Sequence, residues 1–105
     1  MYLRIEGHLD APQISVERAD DCRTLYATSR SMTYDTVARA LEEAALGRSD
    51  TDPDLWLKID ALKSLASTGS ESWSQEFDAM IAFAATRGWI DDSGRYVAAH
   101  LVADE

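Results

Sequence analysis

The chain of 105 residues has few of the residues on which disulfides, metal sites and phosphate-binding loops depend. Cys22 is its only cysteine, which excludes an intramolecular disulfide and favours a reducing, cytoplasmic location. Its two histidines, His8 and His100, have no further histidine or cysteine at metal-ligand spacing, so we predict no metal and no other cofactor. The five glycines stand alone and form no glycine-rich loop that could hold a phosphate.

Long apolar runs are absent as well. The longest uncharged apolar stretch, residues 79–85, is far shorter than the roughly 20 residues that span a bilayer. The first residues lack the apolar core and the cleavage site of a signal peptide. We therefore expect a cytoplasmic protein with no membrane segment.

Basic charge is scarce, because 10 lysines and arginines stand against 19 aspartates and glutamates, for a formal net charge of −9. The basic residues are scattered singly, whereas nucleic-acid binding draws on lysines and arginines that neutralise phosphates. Nucleic acid is thus disfavoured as a partner, and a protein partner or a homo-oligomer is favoured. The preference for arginine over lysine and the abundance of alanine are typical of GC-rich bacterial genomes.

Length and composition predict a single globular domain over residues 1–105. A chain of this size can bury about two-thirds of the surface that it exposes when unfolded, which suffices for folding without a metal or a disulfide. Its 46% hydrophobic and 28% charged residues are those of an ordinary globular protein.

The first half of the chain predicts strands followed by helices. Alternating polar and apolar residues over 2–9 predict a half-buried strand, and 14–18 is a candidate partner strand. An aspartate pair and apolar residues at helical spacing predict a helix over 20–31. Thr33 is the predicted N-cap of a second helix, which Gly47 ends.

The second half predicts a strand, two helices and a hairpin. Residues 55–59 alternate as a strand does, and Asp60 is the predicted N-cap of a short helix. A single helix over 54–67 is the alternative. Ser72 begins the clearest helix of the chain in a capping-box pattern. Residues 89–102 predict a hairpin whose last strand is apolar on both faces, which is typical of a central strand.

These elements predict an α+β fold with four helices and a small, mostly antiparallel sheet. Phe83 is predicted to widen the buried face of the longer helix, and core packing explains Trp89. The predicted hydrophobic core consists of Leu3, Ile5, Leu25, Val37, Leu41, Leu57, Ile59, Leu62, Leu65, Phe77, Met80, Ile81, Val97 and Leu101.

Over residues 33–102 the predicted order of elements resembles that of winged helix-turn-helix proteins. The resemblance implies a transcription regulator whose longer helix enters the major groove of DNA with basic side chains. Here that helix carries Glu76 and Asp78, with Arg87 as its only basic residue, and the hairpin turn carries two aspartates. These charges disfavour DNA binding even within that fold.

No pattern in the sequence predicts a catalytic centre. Three aspartates at alternate positions, from Asp50 to Asp54, imitate the start of a calcium loop. The later positions hold Leu55 and Ala61 where such a loop needs glycine and glutamate, so a solvated acidic loop is the better interpretation. Cys22 lies on a predicted apolar face without a nucleophile motif, which favours an inert thiol.

Five side chains are candidate contact residues. His100 and Tyr96 lie on the last predicted strand and could line a ligand cleft, although a hydrogen-bonded core histidine is the alternative for His100. Trp56 points outward if its segment is a strand. With Tyr2 and Tyr34 it is a candidate for a protein interface, where exposed aromatic rings are common. Whether the two histidines converge stays open.

The sequence therefore predicts a small acidic bacterial protein that acts as an interaction, regulatory or accessory module rather than as an enzyme. The lack of a catalytic motif and the candidate exposed aromatic residues favour this hypothesis. Two alternatives stay open, a winged-helix transcription regulator and a small enzyme or ligand-binding protein with a cleft near His100.

Overall fold

The computed structural model describes residues 1–7, 13–30 and 32–103. These residues form six strands and three helices, so the predicted fold with four helices and a small sheet is wrong. In chain order the elements are β1 (Tyr2–Glu6), β2 (Gln13–Glu17), β3 (Tyr26–Arg30), α1 (Tyr34–Glu43), β4 (Gly47–Ser49), β5 (Asp54–Lys58), α2 (Ile59–Ala66), α3 (Glu71–Thr86) and β6 (Tyr96–Ala103).

The six strands form one mixed sheet in the order β2-β1-β3-β6-β5-β4, curled into half a barrel. Its three central strands are parallel, because β3 pairs in parallel with β1 on one side and with β6 on the other. Antiparallel pairing adds β2 next to β1, β5 next to β6, and β4 next to β5. The predicted sheet, small and mostly antiparallel, is therefore wrong, because the observed sheet is mixed and parallel at its centre.

The inner face of the sheet and the three helices share one hydrophobic core. Alternation along the strands directs every second side chain to this face, and the helices contribute residues spaced three or four apart. Leu65 departs from the predicted core, since it is 43% exposed. The largest fully buried side chains are Phe77, Met1, Leu3, Ile5, Leu41, Leu55, Leu57, Leu62 and Val37.

The helix ends follow from local sequence. Thr33 accepts a hydrogen bond from the Thr36 amide at 3.2 Å and caps α1, as predicted. At the start of α3 the cap is Ser70, whose hydroxyl accepts from the Trp73 amide at 3.4 Å, so the prediction of Ser72 as the capping residue is wrong. Within the described residues, no helix combines the length and apolar character needed to cross a membrane.

The predicted helix over 20–31 is wrong, because residues 26–30 form β3. This strand lies at the centre of the sheet, where Ala27, Thr28 and Ser29 are all buried. Small side chains fit a strand covered on both faces, and pairing with two neighbouring strands outweighs the helical spacing of a short segment.

Predictions for the second half of the chain are partly confirmed. Residues 54–66 form β5 and then α2, which confirms a strand followed by a helix. The predicted N-cap Asp60 is wrong, because α2 begins at Ile59 and its N-cap is Lys58. β6 is central, between β3 and β5, as its two apolar faces predicted. The predicted hairpin is wrong, because its first strand forms one isolated bridge, between Ile90 and Val97. β6 pairs along five residues with β5 instead. The winged-helix resemblance is therefore wrong as well.

Candidate functional site

A groove of about 910 Å³ lies between α3 and residues 18–23, which we call the connector because they form most of the segment that joins β2 to β3. We refer to it as the α3 groove. Its volume is near the upper end of the roughly 300–1,000 Å³ typical of ligand pockets. The helix lines it with mainly apolar side chains, and the connector lines it with mainly charged ones. The lining residues are Glu76, Ala79, Met80 and Phe83 on α3, and Arg18, Asp20, Asp21, Cys22 and Arg23 on the connector.

Hydrogen bonds to α3 and to the first residue of the chain hold the connector. The indole Nε1 of Trp73 in α3 donates to the Ala19 carbonyl at 2.5 Å. The amino group of Met1 donates to the Asp21 carbonyl at 2.8 Å. The Asp21 carboxylate in turn accepts from the Arg23 amide at 3.1 Å. These bonds tie the connector to α3 and to the start of β1, so both walls of the groove are formed before anything binds.

Burial and charged groups of both signs act on Cys22 in the groove. Burial is the main cause that raises the pKa of the Cys22 thiol. The charges of Glu76, Asp21 and Asp20 raise it further, and the amino group of Met1 acts in the opposite direction. The pKa of Asp21 is lowered, chiefly by the hydrogen bond from the Arg23 amide, so this carboxylate stays ionised at neutral pH. A raised pKa makes the Cys22 thiol a weaker nucleophile than an ordinary cysteine.

Two exposed aromatic rings lie where α3 ends, and Phe83 is also part of the groove wall. Phe83 and Trp89 are 56% and 46% exposed, and their rings meet nearly edge to face with centroids 6.1 Å apart. The Arg87 guanidinium lies over both rings, 5.5 and 5.8 Å from their centroids. Trp89 reaches this position because Gly88 adopts a φ of 78° and the Trp89 amide donates to the Ala84 carbonyl at 3.0 Å. We call Phe83, Arg87 and Trp89 the aromatic cluster.

Sequence reasoning missed this cluster, because it assigned both rings to the core. Trp73, Phe77 and Ala84 are buried, and Met80 and Ile81 pack partly buried against the core, so the predicted stripe of α3 is present. Its predicted widening at Phe83 is wrong, because Phe83 is exposed. The position of Phe83 beside that stripe is no signal by itself, because it fits a wider buried face and an exposed ring equally well.

Three of the sequence candidates lie half-buried on the outer face of the sheet. Tyr2 stacks on Tyr26 of β3, with ring centroids 5.0 Å apart. Trp56 of β5 and Tyr96 of β6 lie under the Arg48 guanidinium, which is 5.7 and 4.9 Å from their ring centroids. Neighbouring side chains thus cover part of each of these rings.

His100 is a more exposed residue of the same outer face. Its Nδ1 lies 2.6 Å from the Asp54 carboxylate, and 72% of its side chain is exposed. Tyr96 is four residues away along β6, or about 13 Å at 3.3 Å per residue. The two predicted ligand-binding residues therefore share a face but are far apart. His8 lies outside the described residues, and so does the open question of its convergence with His100.

Tyr34, the remaining candidate, has a structural contact. Its hydroxyl donates to the Asp54 carbonyl at 2.6 Å and accepts from the Asp50 amide at 2.8 Å, which ties α1 to the acidic loop. In the part of the chain that the structure describes, no group of three or more His, Cys, Asp or Glu side chains could hold a metal ion.

Asp91 organises the turn between the aromatic cluster and β6. Its carboxylate accepts hydrogen bonds from the Ser93 hydroxyl at 2.8 Å and from the amides of Arg95 and Tyr96 at 3.2 Å each. It also pairs with Arg48 at 3.1 Å. Desolvation raises the pKa of Asp91, but these hydrogen bonds together outweigh that effect and lower the pKa below its ordinary value.

Comparison with known proteins gives no match: no family model, no curated protein and no solved structure is significantly similar to the chain. The α3 groove and the aromatic cluster are therefore interpreted from their own geometry.

Proposed function

We propose that the chain is a protein-interaction module of a regulatory or accessory kind, which binds another protein through the α3 groove and the aromatic cluster. One observation carries the proposal: Phe83 and Trp89 are exposed and held edge to face beside a preformed groove. Aromatic residues and arginine are enriched among the residues that dominate binding energy in protein interfaces. The cluster brings Phe, Trp and Arg together at one position.

The exposed area of the two rings is large enough to matter. A phenylalanine or tryptophan side chain buries about 150–250 Å² when it is fully covered. Since about half of each ring is exposed, docking would remove roughly 100 Å² per ring from water, or about 2.5 kcal/mol per ring. Two rings thus supply about 5 kcal/mol before the costs of association, which makes the cluster the energetic centre of the proposed interface.

Charge favours a positively charged partner. The chain carries a formal charge of −9, and opposite charges on two proteins accelerate their encounter. A second copy of the chain would bring the same excess of acidic residues, so a different protein is favoured over a homo-oligomer. A cytoplasmic location is part of the proposal, because Cys22 is a free thiol and reduced thiols are typical of that compartment.

A ligand-binding protein or small enzyme near His100 is the second candidate, and the His100–Asp54 pair supports it. A carboxylate beside Nδ1 orients an imidazole for proton transfer. The pair is exposed to solvent, which weighs against it as a catalytic site. A thermal-shift panel of metabolites tests this candidate: a ligand that stabilises the native chain but not His100→Ala would support it. The hypothesis of a transcription regulator rested on the winged-helix resemblance, and the fold does not support that resemblance.

The interaction hypothesis is tested by affinity capture from extracts of the native cells, with quantitative mass spectrometry. The native chain is compared with the double variant Phe83→Ala/Trp89→Ala and with Val102→Ser. Val102 is the matched control, because it is an exposed apolar residue, at 47%, on the outer face of the sheet. Melting curves first establish that all three chains are folded.

We expect one or a few proteins to be enriched at least tenfold by the native chain and by Val102→Ser, and to be lost with the double variant. A tenfold change is about 1.4 kcal/mol, well below the roughly 5 kcal/mol assigned to the two rings. Equal enrichment by all three chains would refute the assignment of the interface to the aromatic cluster.

A further inference from the structure

We propose that a second copy of the chain covers the exposed side of α3 when no other partner is bound, by antiparallel packing of the two α3 helices about a two-fold axis. The contact surface consists of Glu76, Met80 and Phe83 of α3 and its C-cap Arg87, which we call the α3 seam. The proposal rests on the proposed function and adds regulation to it, because the seam cannot bind a second copy and another protein at the same time.

The α3 seam has the spacing of a coiled-coil interface. Its residues follow one another after four, three and four positions, as the a and d positions of a heptad repeat do. Three of them are exposed, and Met80 is partly buried. The C-cap keeps a helical backbone conformation, so Glu76 and Arg87 lie about 16.5 Å apart along the helix axis. A second helix can therefore lie along the seam for three turns.

The seam is complementary to an antiparallel copy of itself. A two-fold axis midway between residues 81 and 82 places Glu76 of each copy opposite Arg87 of the other. The same axis places Met80 opposite Phe83, because both pairs are centred on the same point of the sequence. The dimer thus has sulfur–aromatic contacts at its centre and an ion pair at each end.

The charges at both ends of the seam are available for these pairs. Among the residues that the structure describes, the Glu76 carboxylate and the Arg87 guanidinium form no hydrogen bond or ion pair. The guanidinium stacks on the rings of Phe83 and Trp89, and a stacked guanidinium keeps the N–H groups at its edge for a carboxylate. A carboxylate of the second copy therefore meets a guanidinium that two rings already hold in place.

The surface around the seam carries no excess of acidic side chains. Glu76 and the two aspartates of the connector stand against Arg87 and the two arginines of the connector. The formal charge of −9 therefore arises from other surfaces, and salt screens charges that are more than about 10 Å apart. That charge lowers the affinity of two copies for each other, which leaves a different protein as the stronger partner, but it does not act at the contact itself.

The size of the contact predicts a weak dimer. Three helical turns form a smaller surface than the roughly 1,200–2,000 Å² that stable complexes bury. We therefore expect dimers at high concentration only, and a tighter partner displaces the second copy. The dimer covers Phe83 and places a carboxylate on Arg87, so it hides part of the aromatic cluster.

Sedimentation velocity of the intact chain, from micromolar to millimolar concentration, measures this self-association. Glu76→Arg alone and Arg87→Glu alone each bring like charges together at both ends, so each should dimerise at least tenfold more weakly than the native chain. An equimolar mixture of the two variants should form a heterodimer, because every arginine then faces a glutamate. The double variant Glu76→Arg/Arg87→Glu should recover the native affinity to within about threefold.

Glu42→Arg and Arg39→Glu are the matched controls, because both residues are exposed on α1. Glu76→Arg and Glu42→Arg make the chain less acidic by the same amount, so relief of general repulsion would strengthen dimerisation of both. We expect a loss for Glu76→Arg and less than a twofold change for either control. Melting curves establish that every variant is folded. Amide signals of the native chain should shift with concentration at residues 76–89.

A native chain that stays monomeric at millimolar concentration would overturn the proposal. A mixture of Glu76→Arg and Arg87→Glu that stays monomeric would overturn it as well, and so would equal effects of Glu76→Arg and Glu42→Arg. Concentration-dependent shifts confined to another surface would show that two copies meet elsewhere and that the seam is wrong.

Failure of this inference is distinguishable from failure of the proposed function. If a cellular protein is lost with Phe83→Ala/Trp89→Ala while the native chain stays monomeric, the interaction module stands and the dimer is wrong. If the mixture of charge variants forms a heterodimer while no cellular protein is enriched, the dimer stands and binding of a different protein is wrong.

Discussion

Trp73 joins α3 to the connector, and its replacement by phenylalanine tests whether the α3 groove is preformed. The side chain is 5% exposed, its ring lies 5.4 Å from that of Phe77, and its Nε1 donates to the Ala19 carbonyl. Trp73→Phe removes that donor and, among the residues that the structure describes, leaves the carbonyl with only the weak contact of the Cys22 thiol at 3.9 Å. It also leaves a small cavity beside Phe77.

The cost of this change can be worked out from its two parts. An unsatisfied buried carbonyl costs about 1–3 kcal/mol. Ala19 is only partly buried, which places this part near 1 kcal/mol. Loss of a few ring atoms from a nearly closed site adds about 1–2 kcal/mol. The free energy of unfolding should therefore fall by about 2–3 kcal/mol, which lowers Tm by roughly 10 °C or more for a domain of this size.

Urea unfolding followed by far-UV circular dichroism measures the loss, and amide hydrogen exchange at residues 18–23 measures the loosening of the connector. Trp56→Phe is the control, because it removes a half-buried tryptophan that faces the outer side of the sheet. Trp73→Phe should speed exchange in the connector and Trp56→Phe should not. Equal exchange in the two variants, or a loss below about 0.5 kcal/mol for Trp73→Phe, would refute the role given to this hydrogen bond.

Two further changes test the sheet and the turn before β6. The lowered pKa of Asp91 means that its ionised form stabilises the fold above the ordinary value of 3.8, and that this contribution is lost as pH falls through the folded-state pKa. Asp91→Asn should thus lower the urea midpoint at neutral pH. The difference in midpoint between the native chain and the variant should shrink from about pH 4 towards pH 2, and a difference that stays constant with pH would contradict the assignment. Gly47→Ala would place a methyl group against the Trp56 carbonyl on β5 and should cost about 1–3 kcal/mol. The control Gly7→Ala meets only the flexible Met32 side chain, 3.4 Å away, and similar Tm losses for both would disprove the clash.

Elements with one buried face were predictable from the sequence, because their pattern depends on local alternation or helical spacing. β1 buries Leu3 and Ile5 as its alternation predicted, and Thr33 caps α1. The predicted order of a strand and then a helix was correct for the same reason. Leu55 and Leu57 are buried with the period of two of a strand, and Leu62 and Ala66 are buried four residues apart, as in a helix.

β3 was not predictable in this way, because its structure depends on residues far away in the chain. It pairs in parallel with β1 and with β6, and Ala27 lies beside Leu101 in the second of these pairings. Parallel pairing of distant segments leaves no turn residues between the strands as a local signal. The helical spacing within 20–31 was therefore the strongest local pattern, although tertiary pairing decided the structure.

The candidate site was missed for a different physical reason. Trp73, Phe77 and Ala84 form the buried stripe of α3, and at 100° per residue Phe83 lies about 120° from Phe77 around the helix. An apolar residue at that angle has two explanations, because it either widens a deeply buried face or forms a second face that another molecule covers. The sequence pattern is the same in both cases. Only the half-barrel decides between them: the sheet packs against one side of α3 and leaves Phe83 exposed beside Trp89.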